Sequence, residues 1–187
     1  MIEEYKALLR SRLSDYRYNH SLCVAQSAVE LAQKYGADPA KALVAGLLHD
    51  ITKEADRQEH FALFEESGMA LSGLERSNPK LWHAMSGAAY IRLRLNIDDE
   101  EILSAVRYHT TARAGMTLLE KIIYIADFIS ADRVYDDVEV VRELAQKSLE
   151  ETMLYTQIYS INELIKKKSP VHPDSVACYN DIVSSIK

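Results

Sequence analysis

Six titratable side chains fall on the apolar side of helix-patterned sequence: His20, the doublet His49-Asp50, His83, His109 and Asp127. The apolar face of an amphipathic helix goes to the core. A buried ionisable group is costly unless it is paired or bound to a metal. A lone histidine on such a face is usually a satisfied core residue, and a lone aspartate near a helix end is usually a cap. Six such groups on several helices instead imply one polar centre inside a helical core. Imidazole with carboxylate is a metal-ligand set.

The helical pattern is read directly from the spacing. His20 shares a stripe with Val24, Ala28 and Leu31. His49 and Asp50 end a segment, Ala40 to Asp50, that is apolar nearly all round and so predicts a central buried helix. His83 precedes Gly87 and Ile91 at helical spacing, and a glycine there would let another helix approach. His109 follows Ile102 and Val106, and Asp127 follows Ile123. His60 reads as a solvated helix residue, and His172 falls in a loop.

Helices are expected over 2–14, 18–35, 40–50, 56–67, 80–95, 99–109, 118–131, 138–167 and from about 174 to the end. Gly36 sits at a helix C-terminus, and Asp38-Pro39 supplies an N-cap and a first-turn proline. Asp98 with Glu101, and Thr117 with Glu120, read as capping boxes. Residues 68–79, 110–116 and 169–173 read as loops. With six Gly and four Pro in 187 residues, a turn-rich β fold is disfavoured. The expected architecture is an all-α, single-domain helical bundle spanning 1–187.

Composition narrows the partners. The net charge is −6 and no basic run exceeds Lys166-Lys167-Lys168, which argues against nucleic-acid binding. No apolar run approaches the ~20 residues that span a bilayer. Cys23 and Cys178 show no CxxC spacing and read as small core or surface residues of a reduced compartment, and Met1-Ile2-Glu3-Glu4 does not open a signal peptide, so the expected setting is the cytoplasm. Leu8, Leu9, Tyr155, Ile158 and Tyr159 are either core or, if exposed, a homodimer surface.

The order His … His-Asp … Asp resembles the HD-domain superfamily of metal-dependent phosphohydrolases. Within it, four strings resemble the bacterial YqeK family: Asn19-His20-Ser21-Leu22, Ala45 to Lys53, Tyr108-His109-Thr110-Thr111 and Tyr124 to Ile129. Arg133 and the tail Val171-His172-Pro173-Asp174-Ser175, with Ala177 and Asn180, extend the likeness. One departure is visible: a glycine is expected directly after the two threonines, whereas Ala112-Arg113-Ala114 precedes Gly115.

The resemblance implies an HD-type bundle with its motif core at about 17–133. It implies a divalent metal held by His20, His49, Asp50 and Asp127, with iron first and manganese, cobalt or zinc as alternatives. It implies symmetrical hydrolysis of diadenosine tetraphosphate to two ADP by a metal-activated water. Asp50, His83 and His109 would be catalytic. His83 and His109 would either ligate a second metal or contact phosphate, and phosphate contact around a single metal is the preferred reading. The implied substrate contacts are His20, Lys53, His83, His109, Thr110, Asp127, Arg133, Pro170, His172 and Ser175, with ADP or GDP as product-like ligands. The alternatives are an HD-type nucleotidase or phosphodiesterase on another nucleotide, a nucleotide-binding module without turnover, and a structural bundle with a histidine-rich core.

Overall fold

The computed structural model describes residues 1–185 and is built from eleven helices, with no strand among the described residues. In order these are α1 (Ile2–Arg12), α2 (Asp15–Tyr35), α3 (Pro39–Leu48), α4 (Arg57–Glu66), α5 (Gly73–Ser77), α6 (Pro79–Leu95), α7 (Glu100–Tyr108), α8 (Leu118–Ile129), α9 (Val138–Ala145), α10 (Leu149–Lys166) and α11 (Pro173–Ser185). The all-α expectation holds. The end of the last expected helix, residues 186–187, lies outside the described residues.

Apolar α3 lies at the centre, packed against α1, α2, α7 and α8. Asp38 caps it by accepting from the Ala40 and Lys41 amides, with Pro39 in the first turn. Its crossing with α2 is very close at Gly46. A Cβ there would lie 2.9 Å from Ala25 Cα and 3.2 Å from the Ala28 methyl. Both are too near to accept without moving backbone, so only glycine permits this approach. The main core runs through Leu31, Leu47, Leu48, Ile122, Ile123 and Ile125, all essentially sealed from solvent. A smaller apolar cluster of Phe64, Leu81, Trp82 and Met85 joins α4 to α6 beside it.

Three local expectations are corrected, and one left open is divided. Residues 73–77 form a helix within the expected loop, because Ser72 and Glu75 cap each other reciprocally. Asp99, not Asp98, caps α7, accepting from the Glu101 and Ile102 amides while also meeting Lys41 Nζ at 2.8 Å. The long 138–167 helix divides after Ala145, because Ser148 accepts from the Glu151 amide and starts α10 afresh. Leu9 is core, at 0% exposure, whereas Ile158 is exposed. No helix among the described residues is long and apolar enough to cross a membrane.

Candidate metal centre

Packing of α2, α3, α6, α7 and α8 brings the sequence-marked residues together. His20 lies in α2, His49 caps the end of α3 with Asp50 just beyond it, His83 lies in α6, His109 caps α7, and Asp127 lies in α8. The four imidazoles form an arc in the order His20, His49, His109, His83, with successive ring centroids 5.3, 5.0 and 5.0 Å apart. All four rings are buried, and so is Asp50.

The hydrogen bonds define which ring nitrogen faces inward. His49 Nδ1 lies 2.7 Å from the Gly46 carbonyl and His109 Nδ1 lies 2.7 Å from the Val106 carbonyl. A carbonyl only accepts, so each Nδ1 carries the proton and donates. His20 Nδ1 lies 2.8 Å from Asp132 Oδ2 and is fixed in the same way. Three Nε2 lone pairs are therefore left pointing into the centre. His49 Nε2 and Asp50 Oδ1 are buried with no hydrogen-bond partner among the described residues.

Imidazole nitrogens and carboxylate oxygens crowd together throughout this centre. His20 Nε2 is 2.9 Å from Asp127 Oδ1, His83 Nε2 is 3.1 Å from His109 Nε2, and Asp50 Oδ1 is 3.3 Å from His83 Nε2. Ligand atoms of His20, His49 and Asp50 lie within 4.8 Å of one another, as do those of His49, His109 and Asp127 and those of Asp50, His83 and His109. This convergence, with the opposite edge of three rings already tied, suits a bound cation. The donor set is nitrogen and oxygen only, which fits a divalent ion such as Fe, Mn, Co or Zn.

Three cationic side chains stand around the arc, each against one of its carboxylates. Lys53 Nζ is 2.9 Å from His83 Nε2 and 3.4 Å from Asp50 Oδ1. Arg17 Nη1 is 3.4 Å from Asp50 Oδ2. Arg133 donates through Nε to the Asp127 carbonyl at 2.7 Å and through Nη2 to its carboxylate. Burial pushes the His49 imidazole down to about 4 against the pull of Asp50. Burial also lowers His83, with Lys53 adding to the effect and Asp50 opposing it. Burial alone would raise Asp127, but the His20 contact and the Arg133 charge hold its carboxyl well below the usual range. His20 is the reverse case: burial opposes its cation, yet the Asp127 carboxylate raises it.

At the His83 end, Thr110 Oγ1 lies 3.3 Å from both His83 Nε2 and His109 Nε2. Thr110 also borders a cavity of about 360 Å³ walled by Leu81, Phe128, Tyr159, Pro170, His172 and Ser175. Ser175 Oγ donates to the Thr111 carbonyl at 2.8 Å, tying α11 to the loop after α7. His172 Nδ1 accepts from the Asp174 amide, which turns Nε2 toward Glu75 Oε1, 3.5 Å away. The short helix α5 thus braces the cavity from the far side. Ala112 takes the expected glycine's place in the left-handed region, at φ 57°, fully buried. The loop keeps a glycine-like conformation at a cost of roughly 1–2 kcal/mol.

Sequence reading missed three contributors. His60 is buried, not solvated: its Nδ1 lies 2.7 Å from Ser86 Oγ, which meets Thr52 Oγ1 at 2.8 Å. Thr52 in turn donates to the His83 carbonyl at 2.9 Å. The signal obscured was a second apolar face, since His60 packs in the α4–α6 cluster beside Trp82. Asp132 stands beyond the end of α8, where a lone acid reads as a turn residue. Arg17 lies one helical turn before His20, and that spacing is legible in the sequence.

Residues 17–132 match the HD domain, and the chain belongs to that family. It is 40% identical over 182 residues to the symmetrical bis(5'-nucleosyl)-tetraphosphatase of Bacillus subtilis (strain 168), covering 97% of each chain. It is 35% identical to the protein of that name from Staphylococcus aureus (strain NCTC 8325 / PS 47), over 96% of this chain and 93% of the other. Among solved structures it superposes, with a TM-score of 0.96 and 34% identity over 99% and 98% of the two chains, on a predicted HD superfamily hydrolase involved in NAD metabolism from Clostridium acetobutylicum.

Proposed function

We propose that this chain is a metal-dependent hydrolase that cleaves diadenosine tetraphosphate symmetrically into two ADP. The observation that carries the reading is the set of inward Nε2 lone pairs and carboxylates, bracketed by Arg17, Lys53 and Arg133. The names of the full-length relatives supply the substrate class. We take the whole chain to act as one unit, since α10 and α11 wall the cavity beside the motif core.

His20, His49, Asp50 and Asp127 would hold the ion, with iron as the preferred assignment. Once bound, such an ion polarises phosphoryl oxygens and makes a nearby water acidic enough to act as a nucleophile close to neutral pH. Phosphoryl transfer otherwise depends on positioning and charge neutralisation. Arg17, Lys53 and Arg133 neutralise the phosphate oxygens, and the Thr110 hydroxyl orients them. A water oxygen bonds to one of the two central phosphorus atoms and the bridging P–O bond breaks. Asp50 Oδ1 takes the water proton. His83, as the neutral Nε2–H imidazole with His109 Nε2 3.1 Å away, donates that proton to the departing ADP oxygen. The cavity lined by Pro170, His172 and Ser175 holds one nucleoside, with Tyr159 and Phe128 as apolar walls.

Product analysis by ion-exchange chromatography tests this, on protein of measured metal content. ADP as sole product, with activity lowered at least about 10³-fold and metal lost in Asp50→Ala, supports the reading. AMP plus ATP refutes the symmetrical mechanism. No product from metal-loaded protein refutes the dinucleotide assignment.

A further inference from the structure

The imidazole arc has two ends, and each opens on a cavity. The His83 end opens on the cavity already described. At the His20 end, Asp127 borders a second cavity of about 220 Å³, completed by Phe128, Arg133 and Tyr135. Phe128 lines both cavities. Tyr135 donates its hydroxyl to the Phe128 carbonyl at 3.1 Å, and its ring lies 5.7 Å from that of Tyr159. An aromatic partition of Phe128, Tyr135 and Tyr159 thus divides two cavities that share one polar centre.

We propose that the second cavity receives the second nucleoside of the dinucleotide, so that the tetraphosphate lies along the arc from Thr110 to Arg133. This rests on the hydrolase reading above. A substrate with the same group at both ends, cut in its middle, extends equally to either side of the reacting phosphorus. One cavity alone would leave half of it in solvent. The second cavity offers what a base and its phosphates need: an aromatic wall for the π face, and a guanidinium pinned by Asp127 at the border with the centre. Its lining carries no amide side chain to read a base edge, so it accepts any base, whereas the first cavity offers Asn78, Ser169 and Ser175.

The test is calorimetric titration of Mn²⁺-loaded protein with ADP and with a diadenosine tetraphosphate analogue whose central bridging oxygen is replaced by methylene. Tyr135→Ala is expected to weaken the analogue about tenfold, the loss of one base stack, while ADP affinity and metal content stay unchanged. Tyr135→Phe keeps the ring and binds as the parent does. Tyr159→Ala weakens both ligands. The proposal is overturned if Tyr135→Ala binds the analogue as tightly as the parent, or loses the same factor for ADP. Failure of the parent protein to cleave authentic diadenosine tetraphosphate is a separate result, which removes the hydrolase reading itself.

Discussion

The two ends of the histidine arc are built from the same ring but from different partners. At one end His20 is held between two carboxylates, Asp127 and Asp132, with Asp132 itself fixed by Ser130 Oγ at 2.7 Å. At the other end His83 and His109 share the single carboxylate Asp50 and face a lysine and a threonine hydroxyl. Anionic neighbours favour a cation, and cationic or neutral donors favour an anion. Under the proposed hydrolase reading, the difference would put leaving-group chemistry with His83 and His109 at one end and ion holding by His20 and Asp127 at the other. Asp50 would also serve the ion, and Arg133 would also serve the phosphates. His49 sits between the two ends.

The sharpest way to break this division is His109→Ala. If the His83 end handles phosphate, turnover falls about 10²–10³-fold while metal content by elemental analysis stays at the parent level. Loss of metal would instead place a ligand there. Next in size is Asp132→Asn, which removes the charged partner of His20 Nδ1. Metal affinity, by competition with a chelating dye, should fall about 10–100-fold, with kcat of the fully loaded protein little changed. An unchanged affinity would show that the carboxylate at position 132 does not prepare His20.

The smallest effect concerns pH. The buried imidazoles of His49, His60 and His83 are all held below the ordinary histidine value, chiefly by burial. The unfolded chain therefore binds more protons than the native one below about pH 6.5. Metal-free protein should be most stable above that pH and lose stability as the pH falls from 6.5 toward the His49 value of about 4. His20 is raised and acts in the opposite sense, softening the slope. Urea midpoints across this range measure the sum, and a midpoint that rises on acidification would contradict it.

Much of the helical frame could be read from the chain because its determinants are local. Asp38-Pro39 and the Thr117/Glu120 pair mark helix starts that the structure keeps, and the spacing of His20, His109 and Asp127 from apolar neighbours shows which way they face. What stayed hidden depends on distant partners. Asp132 gains meaning only because α2 carries His20 to it across 112 residues. His60 lies on a helix with weak amphipathic patterning, and only the Trp82 cluster shows that its face is covered. The break between α9 and α10 has a local signal in Ser148 and Glu151, but a continuous apolar stripe across it masks the stop.

The way α3 and α7 finish has a consequence for transplanting this centre. In both helices a carbonyl of the last turn, Gly46 or Val106, receives the Nδ1 proton of the histidine that caps the helix. Those carbonyls belong to the group that a helix terminus leaves without an intrahelical donor. Where each helix stops therefore decides which nitrogen is presented. A designer who copied the ligands onto another bundle, with helices one turn longer, would carry over the letters and lose the tautomers.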